Sequence, residues 1–149
     1  MDGDRGRELW AVYRAWRNLP VTALALGWAR WHGARISMGP DLFVECAGMP
    51  RGTYGRGGTT IGNAWLYGEL GGPERRRHEQ RHGNQYALLG TTAFLSLYGL
   101  NALLTRNRPQ HNVFERWAGL ADGGYEVAGP DHVAPGPRTT AGGPGSGSP

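Results

Sequence analysis

Residues 73–89 read PERRRHEQRHGNQYALL, and the rest of the predicted fold is arranged around this stretch. Pro73 and Glu74 suit the first turn of a helix, because proline lacks the amide hydrogen that is unpaired there and a carboxylate favours the positive helix end. Two glycines, 71–72, indicate a loop before that turn, and Gly90 suits a C-terminal cap. The pattern therefore predicts one helix over about residues 74–89.

Further helices and strands are predicted on both sides of this helix. Downstream, apolar residues at helical spacing predict a helix at about 93–105, and a turn around Pro109 leads to a short helix at 112–118. Upstream, the same criterion predicts helical pieces at 7–17 and 21–31. Strands are predicted at 34–38 and 41–47, joined by a Gly-Pro turn, and at 59–67, where large and small residues alternate.

These elements predict one α+β domain with short antiparallel strands, then the central helix and a helical hairpin. We divide the chain into an N-terminal helical segment (1–33), a domain built around the central helix (34–126) and a C-terminal tail (127–149). The tail is rich in Gly, Pro and Ser and has almost no large apolar side chains, so it is predicted to be disordered.

Amino-acid composition and net charge bear on the source, the partners and the location that we expect for the protein. All sixteen basic residues are arginines, which together with abundant Gly and Ala predicts a GC-rich bacterial gene, and the net charge is +4. Such a charge is compatible with nucleic acid but does not require it, and no nucleic-acid partner is expected. Cys46 is the single cysteine, so no disulfide forms within the chain, and a cytoplasmic location is expected. Residues 83–105 contain no charge, which keeps membrane association open.

The central helix contains the pattern His78-Glu79-Gln80-Arg81-His82. Residues four apart lie on one face of a helix, so both imidazoles can reach one metal ion. Zinc accepts imidazole nitrogen and tolerates an open coordination position. Glu79, beside the first ligand, could take a proton from a zinc-bound water. The alternative is a solvated polar helix in which the charged residues only pair with one another.

A third protein ligand is expected, because catalytic zinc sites commonly use three. Glu115, in the short helix at 112–118, is the favoured candidate. The alternative is a capping box, in which Asn112 caps the helix and the Glu115 carboxylate accepts from the Asn112 amide. Asp122, Glu126 and His111 are weaker substitutes as ligands.

The segment from His78 to Gln85, joined to a downstream glutamate helix, resembles the gluzincin branch of zinc metallopeptidases. It is similar in particular to small bacterial zincin-like domains with an H-E-x-x-H-x-x-Q helix, over about residues 59–126. The chain lacks the Asn-Glu-x-x-Ser-Asp helix of the large gluzincins. The resemblance implies Zn²⁺ held by His78, His82 and Glu115, Glu79 as the base, and hydrolysis of a peptide or protein substrate.

Several other side chains have candidate roles in such a site. Gln85 could hydrogen-bond a ligand imidazole, or be solvated. Tyr86 and Tyr125 are candidates for stabilising an oxyanion, although Tyr86 could equally be a core ring. His111 could protonate a leaving group, or lie exposed. The resemblance implies that the strand before the helix, at 62–65, pairs with an extended substrate.

Four tryptophans in the N-terminal helical pieces are expected to be packing residues rather than a binding platform: Trp10, Trp16, Trp28 and Trp31. The preferred function is a zinc-dependent hydrolase of the metallopeptidase kind. The alternatives are a non-catalytic metal-binding protein and a membrane-associated interaction protein.

Overall fold

The computed structural model describes residues 2–55, 57–69 and 71–125. These residues form helices and a small sheet, which confirms the predicted α+β class. The predicted disordered tail, 127–149, lies outside the described residues. Two 3-10 turns occupy Pro40–Leu42 and Pro109–His111. In chain order the elements are α1 (Asp2–Arg17), α2 (Leu19–Trp31), β1 (Arg35–Met38), β2 (Val44–Ala47), β3 (Thr59–Ile61), β4 (Ala64–Leu66), α3 (Pro73–Leu89), α4 (Thr91–Leu104) and α5 (Val113–Ala118).

The four strands form one sheet in the order β1-β2-β4-β3. The predicted hairpin of β1 and β2 is present, with Ile36 opposite Cys46. Antiparallel pairing is present in two of the three strand pairs of the described sheet, whereas β2 and β4 run parallel, with Val44 opposite Ala64. The long loop between β2 and β3, followed by the reversal into β4, brings β4 beside β2 in the same direction.

The predicted strand at 59–67 is also wrong as a single element, because it folds back on itself as the hairpin β3–β4. Gly62 stands at the turn with a φ of +63°, which L side chains rarely adopt. A Cβ on Gly62 would also lie 2.6 Å from Val21 Cγ1 and from Thr22 Oγ1. The turn therefore needs glycine both for its conformation and for the close approach of α2.

The core lies between α2 and the sheet. Ala25 and Ala29 present small side chains to Cys46, Ala64 and neighbouring buried residues, which lets the helix approach the strands closely. On the other side of β4, the buried Trp65 ring stacks on Tyr67 with centroids 4.0 Å apart. Strand β4 is thus covered on both faces, as expected for a strand inside a sheet.

Helix α1 packs through a buried arginine instead of an apolar stripe. The Arg14 guanidinium donates to Asn63 Oδ1 at 2.8 Å, to Asn84 Oδ1 at 3.1 Å and to the Asp41 carbonyl at 2.6 Å. Burial lowers the pKa of Arg14, although the charge of Asp41 acts in the opposite direction. Three separate segments are therefore joined by one side chain.

Because Arg14 and Asn18 face inward, the apolar stripe of α1 faces outward. The expectation that the N-terminal tryptophans are packing residues is therefore wrong for Trp16 and Trp31, which are 69% and 85% exposed, and Trp28 is also exposed. Trp10 is partly buried and donates to Asn84. Helical periodicity predicted the stripe, but the side that faces the core depends on the polar partners.

Helix α3 crosses the sheet and ends at Gly90, where the chain turns by 120° into α4. Gly90 has a φ of +80°, the left-handed conformation that glycine adopts without strain. Among the described residues, no single helix has the length and apolarity of a membrane span. The bent pair of α3 and α4 meets that test only when the two helices are taken together.

Candidate metal centre

Helix α3 presents both histidines of the sequence motif to one point. His78 and His82 lie one turn apart and are buried, and their Nε2 atoms are 3.2 Å apart. The rings are perpendicular to one another, with centroids 4.8 Å apart. This convergence follows from the helical spacing itself, because residues i and i+4 project over the same part of the helix surface.

Helix α5 supplies the third side chain. Glu115 Oε2 lies 3.3 Å from His78 Nε2 and 3.6 Å from His82 Nε2, and the carboxylate is buried. Asn101 on α4 accepts from the Val113 amide and so holds the start of α5 in place. The structure thus brings together a buried His–His–Glu group that could hold a metal ion, as expected.

The capping-box alternative for Glu115 does not fit this arrangement. Asn112 does cap α5, since its Oδ1 accepts from the Phe114 amide at 2.9 Å. The Asn112 amide, however, donates to the carbonyls of Arg108 and Pro109, so the Glu115 carboxylate is not needed there. The Glu115 carboxylate is therefore available to face the two histidines.

The three weaker ligand candidates are not part of the His–His–Glu group within the described residues. Asp122 accepts from Arg81 at 2.7 Å and lies 3.6 Å from the Arg77 guanidinium, so it belongs to a surface ion-pair group. His111 is exposed and does not line the cleft described below. Glu126 lies outside the described residues.

Hydrogen bonds at the far side of each ring orient the imidazoles. His78 Nδ1 lies 2.9 Å from the Gly119 carbonyl, which can only accept, so the proton of neutral His78 is on Nδ1. His82 Nδ1 lies 2.8 Å from Gln85 Oε1, whose amide is in turn fixed by donation to the Phe114 carbonyl. The predicted contact of Gln85 with a histidine is confirmed. Both Nε2 atoms therefore carry lone pairs toward Glu115.

Without a cation, the three converging atoms of the group repel one another electrostatically. Three buried atoms with lone pairs converge, and Glu115 Oε2 has no hydrogen-bond partner among the described residues. Burial alone would raise the pKa of Glu115, but its contacts with both histidines and Tyr98 lower it overall. Burial likewise acts to lower the pKa of His82, yet Glu115 raises it overall. A proton or a metal ion at this point relieves the repulsion.

Tyr98 on α4 is a site residue that sequence reasoning missed. Its hydroxyl donates to Glu115 Oε1 at 2.5 Å, and burial with this contact raises its pKa well above the usual range. A signal was present in the sequence, because Phe94, Tyr98 and Asn101 are spaced along one face of α4. Two of these three are polar and share that face in a helix without charged residues, which is a reason to expect a polar partner.

Glu79 directly follows His78 in the motif and has its hydrogen-bond partner outside the His–His–Glu group. Its Oε2 accepts from Thr60 Oγ1 at 2.8 Å, and the carboxylate is buried. Thr60 belongs to β3, so this edge strand of the sheet orients the predicted base. No oxygen of Glu79 is among the converging ligand atoms.

Three tyrosines near the two histidines, Tyr86, Tyr98 and Tyr125, lie in different positions. Tyr86 packs its buried ring on Phe94, with centroids 4.3 Å apart, and burial raises its pKa to about 12. The Tyr125 ring is perpendicular to that of His78 at 5.9 Å. Both predicted tyrosines line the same cleft as the ligand group, whereas Tyr98 contacts a ligand directly.

A cleft of about 320 Å³ opens onto the His–His–Glu group. One wall is the loop and strand that contain Gly55, Gly58, Thr59 and Thr60, and the other comes from α4 and the segment after it. Within the described sheet, β3 is an edge strand that pairs only with β4, whereas β4 is paired on both sides. The expectation that residues 62–65 pair with a substrate is therefore wrong, since these residues form the turn and the inner strand.

No protein-family model matches the chain, and no curated protein or solved structure matches it either.

Proposed function

We propose that the protein is a zinc-dependent hydrolase of the metallopeptidase kind, with Zn²⁺ held by His78, His82 and Glu115. The observation that carries the proposal is the convergence of two imidazole nitrogens and one buried carboxylate oxygen at a single point in the wall of a cleft. Three protein ligands leave one position open, which is the arrangement of catalytic rather than structural zinc sites.

The distances between the donor atoms support zinc as the metal. Bonds of about 2.0–2.1 Å at tetrahedral angles place two donors about 3.3 Å apart, whereas octahedral angles place them about 2.9 Å apart. The separations here are 3.2, 3.3 and 3.6 Å. Two nitrogens also argue against magnesium and calcium, which take oxygen ligands. The unpartnered Glu115 Oε2 is satisfied by such an ion.

A metal ion bound there supplies a Lewis acid that lowers the pKa of water and polarises a carbonyl group. Glu79 is the base that removes a proton from the attacking water, and Thr60 holds its carboxylate by donating to Oε2. The same carboxylate then delivers the proton to the leaving amine. Tyr125 and Tyr86, at the cleft wall, are the candidates for donating to the developing oxyanion.

The edge position of β3 supports an extended peptide as the substrate class. Edge strands offer unpaired backbone amides and carbonyls, which an extended chain recognises by adding a strand. Thr59 and Thr60 line the cleft, so a peptide paired with β3 passes beside Glu79. This replaces residues 62–65 as the proposed substrate-binding segment.

Glu79→Gln separates catalysis from metal binding. We expect the variant to retain zinc, measured by elemental analysis of purified protein, and to lose about 10²–10⁴-fold in the hydrolysis rate of a mixed peptide library. Glu74→Gln is the matched control, because Glu74 is exposed in the first turn of the same helix. Its rate should equal that of the unsubstituted protein.

Two results would count against the proposal. Metal-free protein after purification and zinc titration would remove the basis for a metal centre. Zinc binding without hydrolysis of any peptide, or equal rates for Glu79→Gln and Glu74→Gln, would leave a non-catalytic metal-binding protein.

A further inference from the structure

Helix α4 is an apolar helix that the described chain hardly covers. Of its fourteen residues only Phe94 is buried, while Leu100, Leu103 and Leu104 are exposed, Leu103 by 76%. Helices of this composition are ordinarily buried by their surroundings. An exposed apolar area of this kind indicates a binding surface.

A second exposed stripe lies on α1, and that helix ends near α4. Leu9, Val12 and Trp16 follow one face of α1, and all three are exposed. At the end of that helix, Arg17 Nη2 lies 3.4 Å from the position that a Cβ on Gly90 would take. Because Gly90 directly precedes α4, helix α1 ends beside the start of α4. We call the exposed apolar residues of α1 and α4 the α1–α4 surface.

The acidic residues of the α1–α4 surface are confined to the first half of α1, where Asp4 and Glu8 lie. Residues 9–40 and 80–114 contain no Asp or Glu, although the chain has twelve acidic residues in all. Arg17 at one end of the surface and Arg106 just beyond α4 are exposed. From Leu9 onward in α1 and over the whole of α4, apolar side chains with tryptophan and arginine and no acidic residue match a bilayer interface that carries negative headgroups.

We propose that the α1–α4 surface docks the protein onto a membrane containing anionic lipids. The proposal is independent of the metal centre, because none of its residues is a predicted ligand or base. A second copy of the chain is disfavoured as the occupant, since a two-fold contact through α4 would bring Arg106 of both copies together while residues 80–114 supply no acid to pair them. Docking is peripheral, because α4 is about 21 Å long and a bilayer core is about 30 Å thick.

Vesicle co-sedimentation of the full chain tests the docking. Vesicles of phosphatidylcholine with phosphatidylglycerol should bind the protein, and vesicles of phosphatidylcholine alone should bind it much more weakly. Leu100→Glu with Leu103→Glu should weaken binding to anionic vesicles by more than tenfold. Arg17→Gln with Arg106→Gln should weaken it by about fivefold per residue, and only with anionic lipid.

Met38→Glu is the matched control for the leucine variant, because it adds the same charge to an exposed apolar side chain on β1. It should bind as the unsubstituted protein does, and circular dichroism should show the same fold for all variants. Equal binding to both kinds of vesicle, or none, overturns the proposal. A dimer that Leu100→Glu dissociates, or capture of an acidic protein without vesicle binding, assigns the surface to a protein partner instead.

Discussion

Tyr98→Phe tests whether the hydroxyl of Tyr98 positions the third metal ligand. The hydroxyl donates to Glu115 Oε1, which leaves Oε2 directed at the two histidines. Phenylalanine keeps the ring in its contacts with Phe94 and Phe114 and removes only this donor. After the substitution Oε1 is buried without its partner, and the carboxylate is free to rotate about its terminal bond.

The expected loss follows from the strength of the contact. A hydrogen bond to a charged group contributes about 1.5–3 kcal/mol, which is about 10–150-fold in an equilibrium constant. Groups that orient metal ligands commonly change metal affinity by about 10–100-fold. We therefore expect Tyr98→Phe to raise the zinc dissociation constant by about 10–100-fold. At a zinc concentration about a thousandfold above the original constant, the stabilisation by zinc of about 4.1 kcal/mol should fall by about 1.4–2.7 kcal/mol.

Zinc competition against a chromogenic chelator measures the dissociation constant, and melting curves with and without zinc measure the stabilisation. Tyr86→Phe is the control, because the Tyr86 ring packs on Phe94 in the same cleft, whereas the hydrogen bond to Glu115 comes from Tyr98. Equal zinc affinity in Tyr98→Phe and the unsubstituted protein would refute the reasoning. So would an equal loss in Tyr86→Phe, since that would show a general effect of the aromatic cluster.

Three further perturbations have defined outcomes. Gly123→Ala places a Cβ 2.8 Å from the ring of His78, so zinc affinity should fall about tenfold in the chelator assay, whereas Gly99→Ala, with open space around it, should not change it. Without metal, the raised pKa of His82 gives stability that is present below about pH 6.5 and is lost as pH rises through the folded-state pKa. Zinc requires neutral imidazoles, so melting temperatures with chelator and with zinc should change in opposite directions between about pH 6 and 8, and parallel changes would contradict this. Arg14→Met removes the donor from several buried acceptors, so the free energy of unfolding measured in urea should fall by about 3 kcal/mol. Arg5 is exposed, and Arg5→Met should change that free energy by no more than about 0.5 kcal/mol.

The prediction of α3 succeeded because its signals are local. Pro73 and Glu74 suit a helix start, Gly90 suits a helix end, and the observed helix covers Pro73–Leu89. The strand predicted at 59–67 failed because alternation of large and small residues is also compatible with two short strands. Gly62 was the available clue to the turn, and the close packing of α2 against it was not visible in the pattern.

The orientation of α1 was mispredicted for a different reason. An apolar stripe ordinarily faces the core, but here the inward face is occupied by Arg14 and Asn18, which bond to distant segments. Their partners, Asn63 and the Gly83 carbonyl, are far from α1 in the chain. A sequence pattern contains no information on which distant polar groups will complete such a bond.

By itself, the amino-acid sequence determined that His78 and His82 share a helix face with Glu79 beside them, because helical geometry depends only on spacing along the chain. It also singled out Glu115 as a candidate ligand without deciding between metal and cap. Only the tertiary structure brought Glu115 and Tyr98 to the histidines and placed β3 at the edge of the described sheet, beside the cleft. Those placements depend on the bend at Gly90 and on the path of the chain into α5, which are set by packing between residues distant in sequence.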